Sequence, residues 1–158
     1  MIKTIPNFIR NVPEIMEHIK YHDHLFKPRE GADAHASIIK GVRSRFKTLK
    51  CVDMSDVMKE AIFADADFDE DLKYMYEFIQ IQKYEPGDAI CPHRDSYSIR
   101  KLHLITLTDS DCDGLVCESG EFIEKIYDKA GQYIDFPYDA VHWVDPVRDL
   151  RYSLVVAI

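Results

Sequence analysis

The last eight residues, RYSLVVAI (151–158), constrain the fold more than any other stretch. In an extended strand alternate side chains point to opposite faces, so Arg151, Ser153, Val155 and Ala157 share one face and Tyr152, Leu154, Val156 and Ile158 the other. Both faces carry groups that avoid water, which places this strand between two covering layers. From Tyr74 onward the chain offers the material for one of them. Short runs are separated by turn signals: YEFIQIQKY, EPGD, AICPHRD, KLHLITLT, DSDCDG, LVCE, EFIEKIYD, KAG, QYIDFP and AVHWV. Seven or eight strands at this spacing predict an antiparallel sandwich or small barrel.

The other layer comes from the first half. In NVPEIMEHIKYHDHLF, Asn11 stands as an N-cap, Pro13 lies in the first turn and Glu14 three residues after the cap, with Val12, Ile15, Met16 and Ile19 on one stripe. A second helix is predicted through SDVMKEAIF, burying Val57, Met58, Ala61 and Ile62. The expected fold is therefore mostly β with N-terminal helices packed on one sheet. At 158 residues, with no repeat, low-complexity tract or Pro/Gly-rich linker, the chain reads as one domain (1–158), in which 1–73 form helical support on the substrate side and 74–158 the β core.

Composition excludes several classes. No apolar run approaches the roughly 18 residues of a membrane span, and the start lacks the core of a signal peptide, so a soluble cytoplasmic protein without a membrane partner is expected. Cys51, Cys91, Cys112 and Cys117 form no CxxC pair, which argues against a zinc ribbon or a thioredoxin motif and for reduced thiols. The net charge is −8, yet Lys27 to Lys50 holds seven basic residues against Glu30 and Asp33. Such a stripe could face an anionic partner, or be solvated surface. A nucleic-acid substrate gains little support from an acidic chain with no recognisable DNA-binding motif.

The chemistry centres on HRD. In a strand, His93 and Asp95 point the same way, in line with Ala89 and Cys91. A buried carboxylate costs several kcal/mol unless paired or bound to a cation. His142, in AVHWV, offers a third ligand 49 positions beyond His93. Two histidines and one carboxylate on one side of an ion form the facial triad of non-haem Fe(II), with open positions for chemistry. Nine residues past His142 stands Arg151, whose permanent charge needs an anion. A small dicarboxylate could accept a bidentate pair from Arg151 and a hydroxyl bond from Ser153. So could Asp149, Asp145 or Glu85 neutralise it, and each histidine could be a hydrogen-bonded core residue.

The ordered set YEPG, HRD, HW and RYS, spanning Gln80 to Ile158, resembles the signature of the 2-oxoglutarate- and Fe(II)-dependent dioxygenases. The resemblance implies a double-stranded β-helix, a jelly-roll related to the cupins. It implies iron held by His93, Asp95 and His142, and 2-oxoglutarate held by Arg151 and Ser153. Tyr84 would reach the co-substrate, and Arg100 and Leu104 match a strand that borders the pocket. Asp113-Gly114 stands where relatives commonly carry Gly-Gly. The implied reaction consumes O2 and 2-oxoglutarate, releases succinate and CO2, and hydroxylates a C–H bond. Asp95 argues against halogenation, since halogenating members lack that carboxylate, and arginine rather than lysine at the anchor argues against close relation to the collagen-type prolyl hydroxylases. A protein residue, a nucleobase and a small metabolite are all open as substrate, with a protein residue favoured by the compact chain, and a monomer is expected. The rivals are a cupin-like metal enzyme that needs no keto acid and a non-catalytic β-sandwich binding module.

Three motifs are decoys. DSDCDG begins like a calcium loop but has Gly120 where a bidentate Glu is required, DADFDED has Glu70 where Gly belongs, and His22 and His24 point to different faces of a helix. His103 and Cys91 could both line the pocket, and neither is assigned a catalytic role.

Overall fold

The computed structural model describes residues 2–30, 44–70, 78–95, 102–137 and 139–157. Its strands are β1 (Lys3–Ile5), β2 (Lys27–Glu30), β3 (Arg45–Lys50), β4 (Phe78–Tyr84), β5 (Ile90–His93), β6 (Leu102–Thr106), β7 (Gly114–Ser119), β8 (Phe122–Tyr127), β9 (Tyr133–Asp135), β10 (His142–Val144) and β11 (Arg151–Ala157). Two helices, α1 (Val12–Tyr21) and α2 (Asp56–Ala64), lie between them in the chain. The eight strands β4 to β11 divide evenly between two antiparallel sheets, and β1 to β3 extend one of them. The large sheet runs β1-β9-β6-β11-β4-β3-β2 and the small one β5-β10-β7-β8. This is the expected jelly-roll.

β11 sits at the centre of the large sheet, between β4 and β6, and all seven of its residues are buried. Tyr152, Leu154 and Val156 join Ile79 and Ile81 of β4 beneath the helices, against Val12, Ile15 and Ile19 of α1 and Met58, Ala61 and Ile62 of α2. Val155 faces the small sheet with Tyr84, Leu104, Leu115, Ile126 and Val144. Both covers inferred from the last strand are therefore present. Val57 is the exception to the expected helix face: at 62% exposure it lies off the i, i+3, i+4 stripe of Met58, Ala61 and Ile62. Ser55 caps α2 by accepting the Met58 amide at 3.2 Å. Asn11 instead spends its side-chain amide on Ala61 O, 2.8 Å away, tying α1 to α2.

The N-terminal half holds more sheet than its helical patterns foretell. β2 and β3 carry all five basic residues of the stripe that fall within the described residues; Lys40 and Arg43 lie outside them. Lys27, Arg45 and Lys47 meet Asp53, Asp88 and Glu85 at 3.4–3.5 Å, so the protein neutralises much of this charge itself.

The acidic motifs form turns and ion pairs. Ala130 N donates to Asp109, Ser110 Oγ accepts the amides of Cys112 and Asp113, and Asp65 and Asp67 bind Arg10 at 2.8 Å. Gly114 is required by a close approach: a Cβ there would lie 2.0 Å from Ile126 O. Backbone cannot yield as a flexible side chain can. Gly114→Ala is expected to destabilise the fold by about 1–3 kcal/mol, lowering the urea midpoint without changing its slope.

Candidate metal centre

A tight turn sets up the first ligand strand. Pro86 and Gly87 occupy its centre, Gly87 at φ +91°, and Asp88 N donates to Glu85 O at 2.8 Å. That is a type II turn, which favours Pro followed by Gly. The chain leaves β4, reverses, and enters the small sheet as β5.

β5 and β10 pair with an irregular register: His142 lies opposite His93, but Val144 lies opposite Ile90. Two steps on β10 thus match three on β5, a β-bulge that contains Pro92. Proline is tolerated there because the extra residue need not donate to the ladder. The bulge breaks the simple alternation expected along AICPHRD. Ile90 packs in the inter-sheet core, whereas the Cys91 thiol accepts from Ser44 Oγ at 3.1 Å.

Past the bulge the three expected ligands converge. His93 Nε2 lies 3.8 Å from Asp95 Oδ1, and His142 Nε2 lies 3.5 Å from Asp95 Oδ2. The two imidazole centroids are 4.3 Å apart, and the ligand atoms of all three residues fall within 4.8 Å of one another. Each ring is held from behind by its own strand: His93 Nδ1 is 2.7 Å from Cys91 O and His142 Nδ1 is 2.8 Å from Ala140 O. A carbonyl only accepts, so both Nδ1 atoms carry the proton, and in the neutral rings both Nε2 atoms present lone pairs toward Asp95. Phe136 packs against His142 with centroids 4.7 Å apart.

The donor set fits a divalent transition metal. Asp95 Oδ2 is buried and has no hydrogen-bond partner among the described residues, an arrangement that costs free energy until a cation satisfies it. The contacts to both imidazoles are too long for hydrogen bonds but short enough for one ion to touch all three groups. Two nitrogens and one oxygen on one side suit Fe(II), which would keep open positions opposite them.

Across the inter-sheet space, the large sheet presents a polar wall. Thr48, Gln82, Ser153 and Thr106 are register partners on β3, β4, β11 and β6. Ser153 Oγ and Tyr84 Oη both donate to Gln82 Oε1, at 3.2 and 3.0 Å. On the same face as Gln82 and Tyr84, Gln80 is 1% exposed, and neither atom of its amide has a partner among the described residues. Arg151 lies opposite Tyr84 in the ladder, with its guanidinium carbon 5.0 Å from the Tyr84 ring centroid. Leu104 is buried beside Val155. Arg100 lies outside the described residues.

Two possibilities that the sequence leaves open are decided by the fold. Arg151 pairs with none of Asp149, Asp145 or Glu85; its partner is Asp128, just past β8, which the sequence reading missed. Nε and Nη2 of Arg151 donate to the two Asp128 oxygens at 2.7 and 3.2 Å, with both side chains almost fully buried. Burial pushes the Asp128 carboxyl above its ordinary value, and the guanidinium pulls against that shift. His103 does not line the pocket: it packs under the helix layer against Phe68 and Tyr133, because on β6 it alternates with the inward Leu104. His22 Nε2 accepts the Ser55 amide at 3.2 Å.

Compared by sequence, the chain matches no family model and no curated protein. Compared as a structure it has clear neighbours. A viral collagen prolyl hydroxylase from Paramecium Bursaria Chlorella virus-1, solved with 2-oxoglutarate, superposes with TM-score 0.64 at 14% identity, covering 99% of this chain and 94% of its own. A 2-oxoglutarate–Fe(II) oxygenase-family oxidoreductase from Burkholderia pseudomallei gives 0.70 at 15%, covering 99% and 84%. The non-haem α-ketoglutarate-dependent carbocyclase SnoK of nogalamycin biosynthesis gives 0.70 at 10%, covering 99% and 78%. The chain has the fold of these oxygenases.

Asp95→Ala is expected to weaken Mn(II) binding by more than about a hundredfold, beyond the effect of losing an outer-shell partner. The metal-free unfolding midpoint should hold or rise, because the substitution removes an unsatisfied buried oxygen. Calorimetric titration and a thermal melt read the two effects separately.

Proposed function

We propose that this chain is a 2-oxoglutarate- and Fe(II)-dependent dioxygenase that hydroxylates a C–H bond. The convergence of His93 Nε2, His142 Nε2 and the Asp95 carboxylate carries this reading, because the oxygenases named above share the fold that brings them together. The balanced reaction takes 2-oxoglutarate, O2 and R–H to succinate, CO2 and R–OH.

Each residue has a physical task. His93, Asp95 and His142 would hold Fe(II), and the backbone carbonyls behind the imidazoles keep both rings in the ligating tautomer. When bound, the iron supplies O2 activation and the oxidation of keto acid and substrate. Arg151 receives the distal carboxylate of 2-oxoglutarate through a charge-assisted fork, with Ser153 and Tyr84 beside it. Leu104 and Val155 keep water from the reacting carbon. Gln80 adds a buried amide able to hydrogen-bond an organic occupant. The neighbours include both a collagen prolyl hydroxylase and a carbocyclase, so the fold leaves the substrate open. We take a protein residue as the substrate class, with nucleobase and small-metabolite screens as the competing arms of a turnover assay.

One observation favours a second reading. Asp128 already satisfies Arg151, which a cupin-like metal enzyme with no keto acid would allow. Succinate formation with Fe(II) and O2, with and without 2-oxoglutarate, separates the two. Absence of any iron-dependent consumption of 2-oxoglutarate, even uncoupled, defeats the dioxygenase reading. In the same assay Arg151→Lys, which loses the planar fork, is expected to raise the apparent constant for 2-oxoglutarate about tenfold while leaving Fe(II) affinity unchanged.

A further inference from the structure

Arg151 is claimed on two sides. One face stacks on Tyr84, and the edge formed by Nε and Nη2 is filled by Asp128. An incoming carboxylate therefore has the other edge, Nη1 with the outer hydrogen of Nη2. Asp128 does not step aside readily, because its backbone is held at both ends: Asp128 N donates to Asp113 O at 3.1 Å, and Asp128 O accepts Ser110 N at 3.1 Å. The Asp113 carboxylate in turn accepts the amides of Arg148 and Asp149, fixing the turn that leads into Arg151.

We infer that Asp128 is a built-in competitor for the co-substrate's distal carboxylate, neutralising Arg151 while the pocket is empty and weakening its hold on the diacid when the pocket is filled. The inference rests on the dioxygenase reading of the site. Two carboxylates flanking one buried guanidinium leave a net negative charge, and their mutual repulsion is poorly screened where water is excluded. Succinate keeps the same distal carboxylate, so the same repulsion favours release of product. Without Asp128, an empty pocket would strand a permanent cation in the core.

The test uses the Mn(II)-loaded full chain without oxygen. Asp128→Asn keeps the shape and an acceptor for Nε but removes the charge. It is expected to bind both 2-oxoglutarate and succinate about tenfold or more tightly, with Mn(II) affinity unchanged. Its ligand-free melting temperature should fall, and 2-oxoglutarate should raise it by more than in the wild type. Equal or weaker 2-oxoglutarate binding in Asp128→Asn overturns the inference. A measurement on the wild type stands even if the variant does not fold: 2-oxopentanoate has the same carbon chain with a methyl group in place of the distal carboxylate. An unopposed guanidinium fork of two charge-assisted bonds would favour 2-oxoglutarate by about a hundredfold or more. The inference expects a smaller ratio, and a larger one overturns it. Failure of the wild type to bind 2-oxoglutarate at all, with Mn(II) bound, overturns the co-substrate reading instead.

Discussion

Burial of β11 on both faces organises this protein. One face needs the α1 and α2 stripes, and the other needs the small sheet, so a single strand specifies three layers. The inward face is not purely apolar. Arg151 and Ser153 enter the core with it, and each has to find a polar partner there because an unpaired buried charge costs several kcal/mol. Asp128 and Gln82 answer that need. The space between the sheets is thus lined with hydrogen-bonding groups as a consequence of how the sheet is held together.

On the opposite wall the same economy works through the backbone. β10 pairs with β5 on one side and β7 on the other, so His142 cannot rotate out of the sheet without breaking two ladders. The bulge in β5 turns His93 back toward His142 and leaves Asp95 just past the strand end. Carbonyls two residues upstream then tie down each imidazole. Strand pairing and these carbonyls pre-position both imidazoles, which limits the reorganisation that metal capture requires.

Charge is arranged sparingly in the interior. The Arg151–Asp128 pair is neutral as a unit, and the basic residues of β2 and β3 largely meet acidic partners from the same chain. Asp95 is different in kind. Among the described residues its Oδ2 is buried without a hydrogen-bond partner, so an unsatisfied anionic oxygen sits where a cation would be useful.

Much of this was legible from residue order. The dyad period of the last strand predicted the two covers, the helical stripes predicted which residues provide one of them, and the spacing of His93, Asp95 and His142 predicted the cluster. Local sequence misled where the tertiary environment outweighed it. β2 and β3 carry Lys, Arg and Pro at the sheet margin, where such residues blunt an exposed edge, so they do not look like strands. Val57 lay one position off a stripe, and His103 one position off the inward face of β6. The bulge at Pro92 left no periodic trace. Most consequential is Asp128. It lies 23 residues before Arg151 and follows β8, in the other sheet; only the closing of one sheet upon the other brings the two together. Order along the chain determined which chemical groups the interior would contain, whereas chain closure decided which of them touch, because contacts between sheets have no period in sequence.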